Sequence, residues 1–260
     1  MDYSLFPLLV VGGFAAGFIN TLAGGGSMLT LPLLIVCGLP ANVANGTNRV
    51  AILIQNISAV LAFRSKGVRP WRLGLWLALP ASIGATVGAG IAVEIDPELL
   101  EKIFGAVLLV MCGVVFFQPG RLLKGTGTGE EATRPGLKTF AIFFVVGLWG
   151  GFAQVGVGFL YLAGIMICAD MNLVYANAAK VLVVLLFTVF SLAIFLAMGQ
   201  VEIVPGLVMA VGSASGAWFA SVLSVRKGAP WVRTVLIVAA LLAAAKLFGL
   251  LDFAWKLVFS

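Results

Sequence analysis

The sequence predicts an all-α polytopic membrane protein made of two inverted-topology repeats, with about 8–10 membrane segments that include short broken or re-entrant helices. Three observations carry that prediction. Hydrophobic residues make up 62% of the 260-residue chain and charged residues 10%, with a mean hydropathy of +1.14. A soluble domain of this length needs more charge than that to cover its surface. The apolar residues fall into a series of long runs near the ~20 residues of a spanning helix. The runs are continuous and do not alternate, which excludes a β-barrel. Finally, a pattern of glycine break, short apolar run and buried cation occurs once in each half of the chain.

Taken in order, apolar segments are expected at 5–22, 27–38, 43–63, 71–93 and 99–118, then at 137–156, 158–169, 173–198, 203–225 and 231–251. The stretch 119–136, rich in glycine and threonine, divides the chain into a first repeat at 1–118 and a second at 137–260. Its composition is that of a flexible connector. The N-terminus has no basic residue ahead of its first apolar run, so that run reads as a membrane segment and not as a cleaved signal. Three cysteines do not make a secreted disulfide framework.

Loop charges set the orientation. Arg64, Lys66, Arg69 and Arg72 cluster in one loop, Arg121, Lys124, Arg134 and Lys138 lie in or beside the central linker, and Arg226 and Lys227 mark a third loop. These belong in the cytoplasm, while the loop holding Glu94, Asp96 and Glu98 and the turn from Gly199 to Glu202 belong outside. Both termini then come out external. The net charge of +6 therefore reports topology, and no nucleic-acid partner is implied. The same parity makes 43–63 and 173–198 run in opposite directions, which is what defines an inverted repeat. Residue matches follow it. Gly17-Phe18 answers Gly151-Phe152, Asn20 answers Gln154, Gly24 answers Gly158, Cys37 answers Cys168 and Arg49 answers Lys180. Gly84-x-x-x-Gly88 answers Gly212-x-x-x-Gly216, a spacing suited to close helix packing.

The short runs at 27–38 and 158–169 give only ~18 Å of helix against a core of ~30 Å. Each is expected to form a re-entrant hairpin or a discontinuous helix with the run before it. Such a backbone is tolerated only under protein or beside a watery cavity. Gly24, Gly25 and Gly26 let the chain turn sharply, and Ser27 is placed to cap the helix that follows. A half-helix N-terminus at that depth is an anion site, and Gly156 and Gly158 offer a weaker copy. Arg49 and Lys180 lie inside apolar runs, each on a polar stripe: Asn45, Asn48, Arg49 and Asn56 in one, Asn177, Lys180, Thr188 and Ser191 in the other. A polar stripe fits a bundle interior, with snorkelling to the headgroups as the rival reading. Thr47, Asn20 and Gln154 add neutral polar groups.

The chain has no histidine, and no Asp or Glu lies in the middle of an apolar run. Intramembrane metal catalysis, an aspartyl dyad and a carboxylate proton relay have no residues to use. Cys37 or Ser27 as a nucleophile lacks a base near it in sequence, so an enzyme is not expected, nor is a cofactor. The ionisable groups at membrane depth are cationic. They point to a small anionic substrate inside a lipid bilayer. A proton is a candidate coupling ion, carried by the substrate's own titration, a water chain or an unidentified group, with passive uniport beside it, and an anion channel with the same positive lining is the alternative to a carrier. Cys37 and Cys168 read as small packing residues, and Trp71, Trp231 and Trp255 as interfacial anchors.

The blocks GFINTLAGGGSMLTLPLL and ANGTNRVAILIQNISAVLAF, with a degenerate second copy ending ANAAKVLVV, resemble the sulfite exporter TauE/SafE family, also called the 4-toluene sulfonate uptake permease family. The resemblance covers nearly the whole chain. It implies a multi-pass inner-membrane permease for sulfur-containing or organic anions such as sulfite, sulfonates or sulfoacetate. Gly24, Gly25, Gly26, Asn48, Arg49 and Lys180 stand in its motif blocks. The second copy lacks the glycine triplet and has Ala178-Ala179 where the first has Thr47-Asn48.

Overall fold

A computed structural model describes residues 3–117, 136–169 and 171–247. The proposed linker and Trp255 lie outside the described residues, apart from Gly136. The order is a short 3-10 turn, then α1 (Phe6–Leu22), α2 (Ser27–Val36), α3 (Ala41–Ser65), α4 (Trp71–Glu94), α5 (Pro97–Phe117), α6 (Leu137–Phe152), α7 (Val157–Ala169), α8 (Leu173–Ala197) and α9 (Ile203–Leu247). The expected runs at 203–225 and 231–251 are joined in α9, except that 248–251 lie outside the described residues. That helix is broken at Gly228, which has φ 76° and ψ −178°, with Pro230 just beyond it. Glycine alone takes that φ without steric cost, and proline removes a helical donor.

Among the described residues, α4, α8 and Ile203–Val232 of α9 are long and apolar enough to cross a bilayer. Leu75, Leu79, Ile83, Val87 and Ile91 recur along α4 at helical spacing and are exposed, an apolar face suited to lipid. The chain is a multi-pass membrane protein.

Two pairs of helices pack backbone to backbone. Gly13 and Gly17 of α1 lie against Met209 and Ser213 of α9, while Gly212 and Gly216 of α9 lie against Val10 and Phe14 of α1. In the other pair, Gly147 and Gly151 of α6 meet Ala81 and Ala85 of α4, and Gly84 and Gly88 meet Phe144 and Leu148. The glycine pairs expected to mark close packing do so, because a missing Cβ lets the backbones approach.

The registers of these contacts fix helix direction. Numbers rise together in both pairs, so α1 is parallel to α9 and α6 to α4. In α3, Thr47 and Val50 lie beside Gly206, and Ser58 donates to the carbonyl of Ala214 at 2.8 Å, so α3 runs with α9. Gly74 meets Leu182, and Gln200 donates to Val93 at 3.0 Å, so α8 runs with α4. Across the centre Gly46 lies near Phe195 and Arg49 bonds Ser191, while Ala59 and Phe63 share a cluster with Val174 and Ala178. There the numbers run opposite ways. Hence α1, α3 and α9 point one way and α4, α6 and α8 the other. Those directions gather the Arg64–Arg72 loop, Lys138, Arg226 and Lys227 at one end of the bundle. Glu94, Asp96, Glu98 and Glu202 gather at the opposite end. Val68 and Val225 meet in the same cluster at the basic end.

The short helices resolve as hairpins. Gly12 of α1 lies against Leu33 of α2, and Gly26 lies against Ala16 and Asn20, so α2 doubles back along α1. Gly150 meets Val157 and Gly164 meets Phe143, so α7 doubles back along α6. The two hairpins enter from opposite ends. Trp231, expected as an interfacial anchor, packs edge-on to Phe18 with ring centroids 6.4 Å apart.

Candidate functional site

The hairpin tips meet. Gly24, at φ 92°, is packed against the backbone of Gly158 and Phe159, and Gly158 is packed in return against Gly24. Gly25 faces the ring of Phe159. No side chain fits between two tips this close.

The two tips begin with the same turn and diverge two residues on, where Gly156 has φ 67° and Gly26 φ −59°. After α1 the N–H groups of Ala23 and Gly24 both donate to Ile19, and after α6 those of Ala153 and Gln154 both donate to Trp149. Gly24 at φ 92° is matched by Gln154 at φ 57°, a left-handed conformation that costs a non-glycine residue roughly 1–2 kcal/mol. Geometry therefore pairs Gly24 with Gln154, one helical turn away from the Gly24–Gly158 match read from sequence. The glycines around the two breaks are frequent enough to align in either register. Ser27, expected to cap α2, is its first helical residue; Gly26 stands at the cap position with no side-chain cap. The Gly26 N–H is met from α1 by Asn20 Oδ1 at 3.3 Å.

Beside the tip contact lies a cavity of ≈ 10 Å³, about the room one water needs. Asn20, Ser27, Asn56, Gln154, Gly158 and Lys180 line it, with Ile52, Val157 and Val184 on its apolar side. All of these are buried. The first residues of α2 and α7, Ser27 and Val157, both border the cavity, so two helix N-termini converge on it with their positive dipole ends. The N–H groups of Met28 and Leu29 are spent on Gly25 and Gly26. Gln154 Nε2 donates to Thr188 Oγ1 at 3.2 Å, while its Oε1 is buried without a partner.

The two cations take matching places at the other ends of the broken helices. Lys180 of α8 donates from Nζ to the carbonyls of Asn20 at 3.0 Å and Thr21 at 2.9 Å, and to Asn177 Oδ1 at 2.8 Å. Arg49 of α3 donates from Nη1 to the carbonyl of Gly150 at 3.2 Å and to Ser191 Oγ at 2.9 Å, and from Nη2 to Asn45 Oδ1 at 3.3 Å and to the carbonyl of Gly151. Its Cζ lies 4.5 Å from the centre of the Phe195 ring. The main-chain acceptors are carbonyls at the ends of α1 and α6, which have no helical donor and carry the negative end of the dipole. Each cation thus belongs to one half and grips the hairpin of the other. Lys180 is 1% exposed and Arg49 0%, so neither snorkels.

Of the residues singled out in the sequence, the cavity gathers Asn20, Ser27, Gln154, Gly158 and Lys180, and Asn177 holds the lysine. Arg49 and Asn45 form a separate cluster, where Asn45 also donates to Phe152 at 2.7 Å. Thr47 is elsewhere, its Oγ1 accepting from the N–H of Glu202 at 2.9 Å. Asn48 is buried with both side-chain polar atoms unpartnered. Asn56 was visible only as one member of a polar stripe, and the carbonyls of Gly150 and Gly151 leave no side-chain signal. Cys37 lies in a hydrophobic cluster with Leu31 and Leu34.

The model of the family described as sulfite exporter TauE/SafE matches residues 9–247. The chain belongs to the sulfite exporter TauE/SafE family. Relatives of this TauE/SafE chain are named as probable membrane transporter proteins. A "Probable membrane transporter protein ORF9" of Sinorhizobium is 27% identical over 96% of this chain and 94% of its own. A "Probable membrane transporter protein" of Haemophilus influenzae is 28% identical over 94% of each. "Probable membrane transporter protein YfcA" of Escherichia coli K12 is 30% identical over 94% of this chain and 89% of its own. No solved structure matches. This TauE/SafE protein is a membrane transporter.

Proposed function

We propose that the protein is a secondary carrier of small anions of the sulfite and sulfonate class, working by alternating access about the contact between the two hairpin tips. The observation that carries this reading is the cavity at that contact, bordered by two helix N-termini, a buried lysine and neutral polar side chains. No Asp or Glu among the described residues is buried. Lys180 and Arg49 offset the negative ends of α1 and α6, which leaves the positive ends of α2 and α7 as the uncompensated field at the cavity. An anion is the complement of that field. The donors of Lys180 are all committed, so it acts through its charge at the cavity wall. Ser27, Asn56 and Gln154 supply the polar contacts, and Gly24, Gly25 and Gly26 supply the backbone that lets the tip approach.

Two further features support alternation. The opposed directions of α1 and α6, α3 and α8, and α4 and α9 suit an inverted repeat of the halves 1–118 and 137–260 joined by 119–136. Asn48, Gln55, Gln154 and Asn177 carry buried polar atoms without partners, each costing about 1–3 kcal/mol. Surfaces like these gain partners once water or an anion enters. In this reading the membrane is the inner one, the basic end of the bundle faces the cytoplasm and both termini lie outside, as the distribution of basic residues supports.

The test is tracer flux into proteoliposomes holding the purified protein, with labelled sulfite and a small sulfonate. Saturable uptake is expected, lost in Lys180→Gln while that variant remains folded. Unitary conductance steps in planar bilayers would make it a channel. Absence of uptake for both anions would overturn the substrate class.

A further inference from the structure

Carriers built on broken helices commonly place their coupling ion at the end of a half-helix, where unwound carbonyls coordinate Na⁺. The ends of α1 and α6 are such positions: carbonyls without a helical donor at the negative end of a dipole, in the interior of the bundle. Here both are filled by the chain itself. Three oxygens surround Lys180 Nζ at 2.8–3.0 Å, two from the end of α1 and one from Asn177. An ammonium has three N–H donors, so the match is complete. At the end of α6, Gly150, Gly151, Ser191 and Asn45 surround the Arg49 guanidinium. Both cations are fixed to α8 and α3 and buried, and no Asp or Glu among the described residues is buried with them.

We infer that Lys180 and Arg49 are tethered substitutes for a coupling cation. They hold the positions that a mobile Na⁺ would take, and transport by this protein runs independently of Na⁺. The inference rests on the anion-carrier reading above. A tethered charge keeps its cage filled at any external salt concentration, and a second cation entering beside it meets like-charge repulsion in a medium of low dielectric. The helix ends are thus neutralised permanently, and what remains to be coupled is the anion itself.

Two measurements test it. Uptake of labelled sulfite by wild-type proteoliposomes is compared under an inward Na⁺ gradient and an equal choline gradient. Equal rates are expected; uptake that requires Na⁺ overturns the inference. In Lys180→Ala the oxygen cage is opened, so methylammonium raises the thermal midpoint of the purified protein and restores flux. Tetramethylammonium, too large for the cage and without N–H donors, does neither. Equal melting of Lys180→Ala in the two salts overturns the assignment of the cage. If Lys180→Ala does not fold, the Na⁺ comparison stands on wild type alone. Failure of wild-type uptake in both gradients denies the anion-carrier reading, while the methylammonium shift still tests the cage.

Discussion

Replacing Gly158 by alanine places one methyl group in the contact between the hairpin tips. The new Cβ would fall inside van der Waals range of the Gly24 Cα, with the Gly24 carbonyl oxygen 2.8 Å away. Those are backbone atoms, so no side chain can rotate aside and the tips must separate. Gly158 lies in α7, where the exchange alone would gain about 0.5–1 kcal/mol of helix propensity. Overpacking against fixed atoms costs about 1–3 kcal/mol, and the expected outcome is a net loss of about 1–2 kcal/mol. Gly90 in α4 has nothing within 4 Å of its added Cβ, so Gly90→Ala should show the propensity gain undiluted. Gly24→Ala adds the cost of its positive φ to the clash. Gly38, at φ 93° with open space around it, reports the φ cost by itself. Thermal or denaturant unfolding of the four purified variants in detergent ranks them: Gly90→Ala above wild type, then Gly38→Ala and Gly158→Ala, with Gly24→Ala lowest. A Gly158→Ala protein as stable as Gly90→Ala would show that the tips do not touch.

Arg49→Lys keeps the charge but loses the planar fork that reaches four acceptors. At least one of the four acceptors is left bare, so unfolding measurements should show a loss of about 1–3 kcal/mol. Gln154→Gly releases the left-handed strain and gives up one hydrogen bond to Thr188, two effects of about 1–2 and ~1 kcal/mol that nearly offset. Gln154→Ala keeps the strain and loses the bond, so denaturation should find it less stable than the glycine variant; the reverse order would refute the strain. Asn172 caps α8 by accepting from the N–H groups of Val174 and Tyr175. Asn172→Ala should cost about 1 kcal/mol and leave the Michaelis constant for anion uptake unchanged, since Asn172 does not line the cavity.

Much of the fold was legible because hydropathy and glycine spacing act locally. Apolar runs became helices near their expected bounds, and the glycine pairs became backbone contacts since only a missing Cβ permits them. The polar stripes of α3 and α8 identified Arg49 and Lys180 as interior residues. What they bond was not legible. Their acceptors are main-chain oxygens of Asn20, Thr21, Gly150 and Gly151, and any residue type would offer the same atom. The one-turn difference in register has a similar cause. Conformation at the break is shared by Gly24 and Gln154, two residues with no chemical likeness, while the glycines that look alike in sequence meet face to face instead. Thr47 and Ser27 are polar residues at similar depth in the sequence pattern, yet Thr47 faces Glu202 and only Ser27 faces the cavity.

The crossed grip also sets an order of events during biosynthesis. The carbonyls at the end of α1 are covered by a lysine 160 residues further along the chain. At ~5–20 residues per second, a ribosome needs roughly 10–30 s to reach that lysine after completing Asn20. Until then, among the described residues, no hydrogen bond from its own half closes the polar end of the first hairpin. The end of α6, in contrast, emerges when Arg49 has long been waiting. The second hairpin can be clamped as soon as it is made, and the first stays open until Lys180 is made, about two-thirds of the way along the chain.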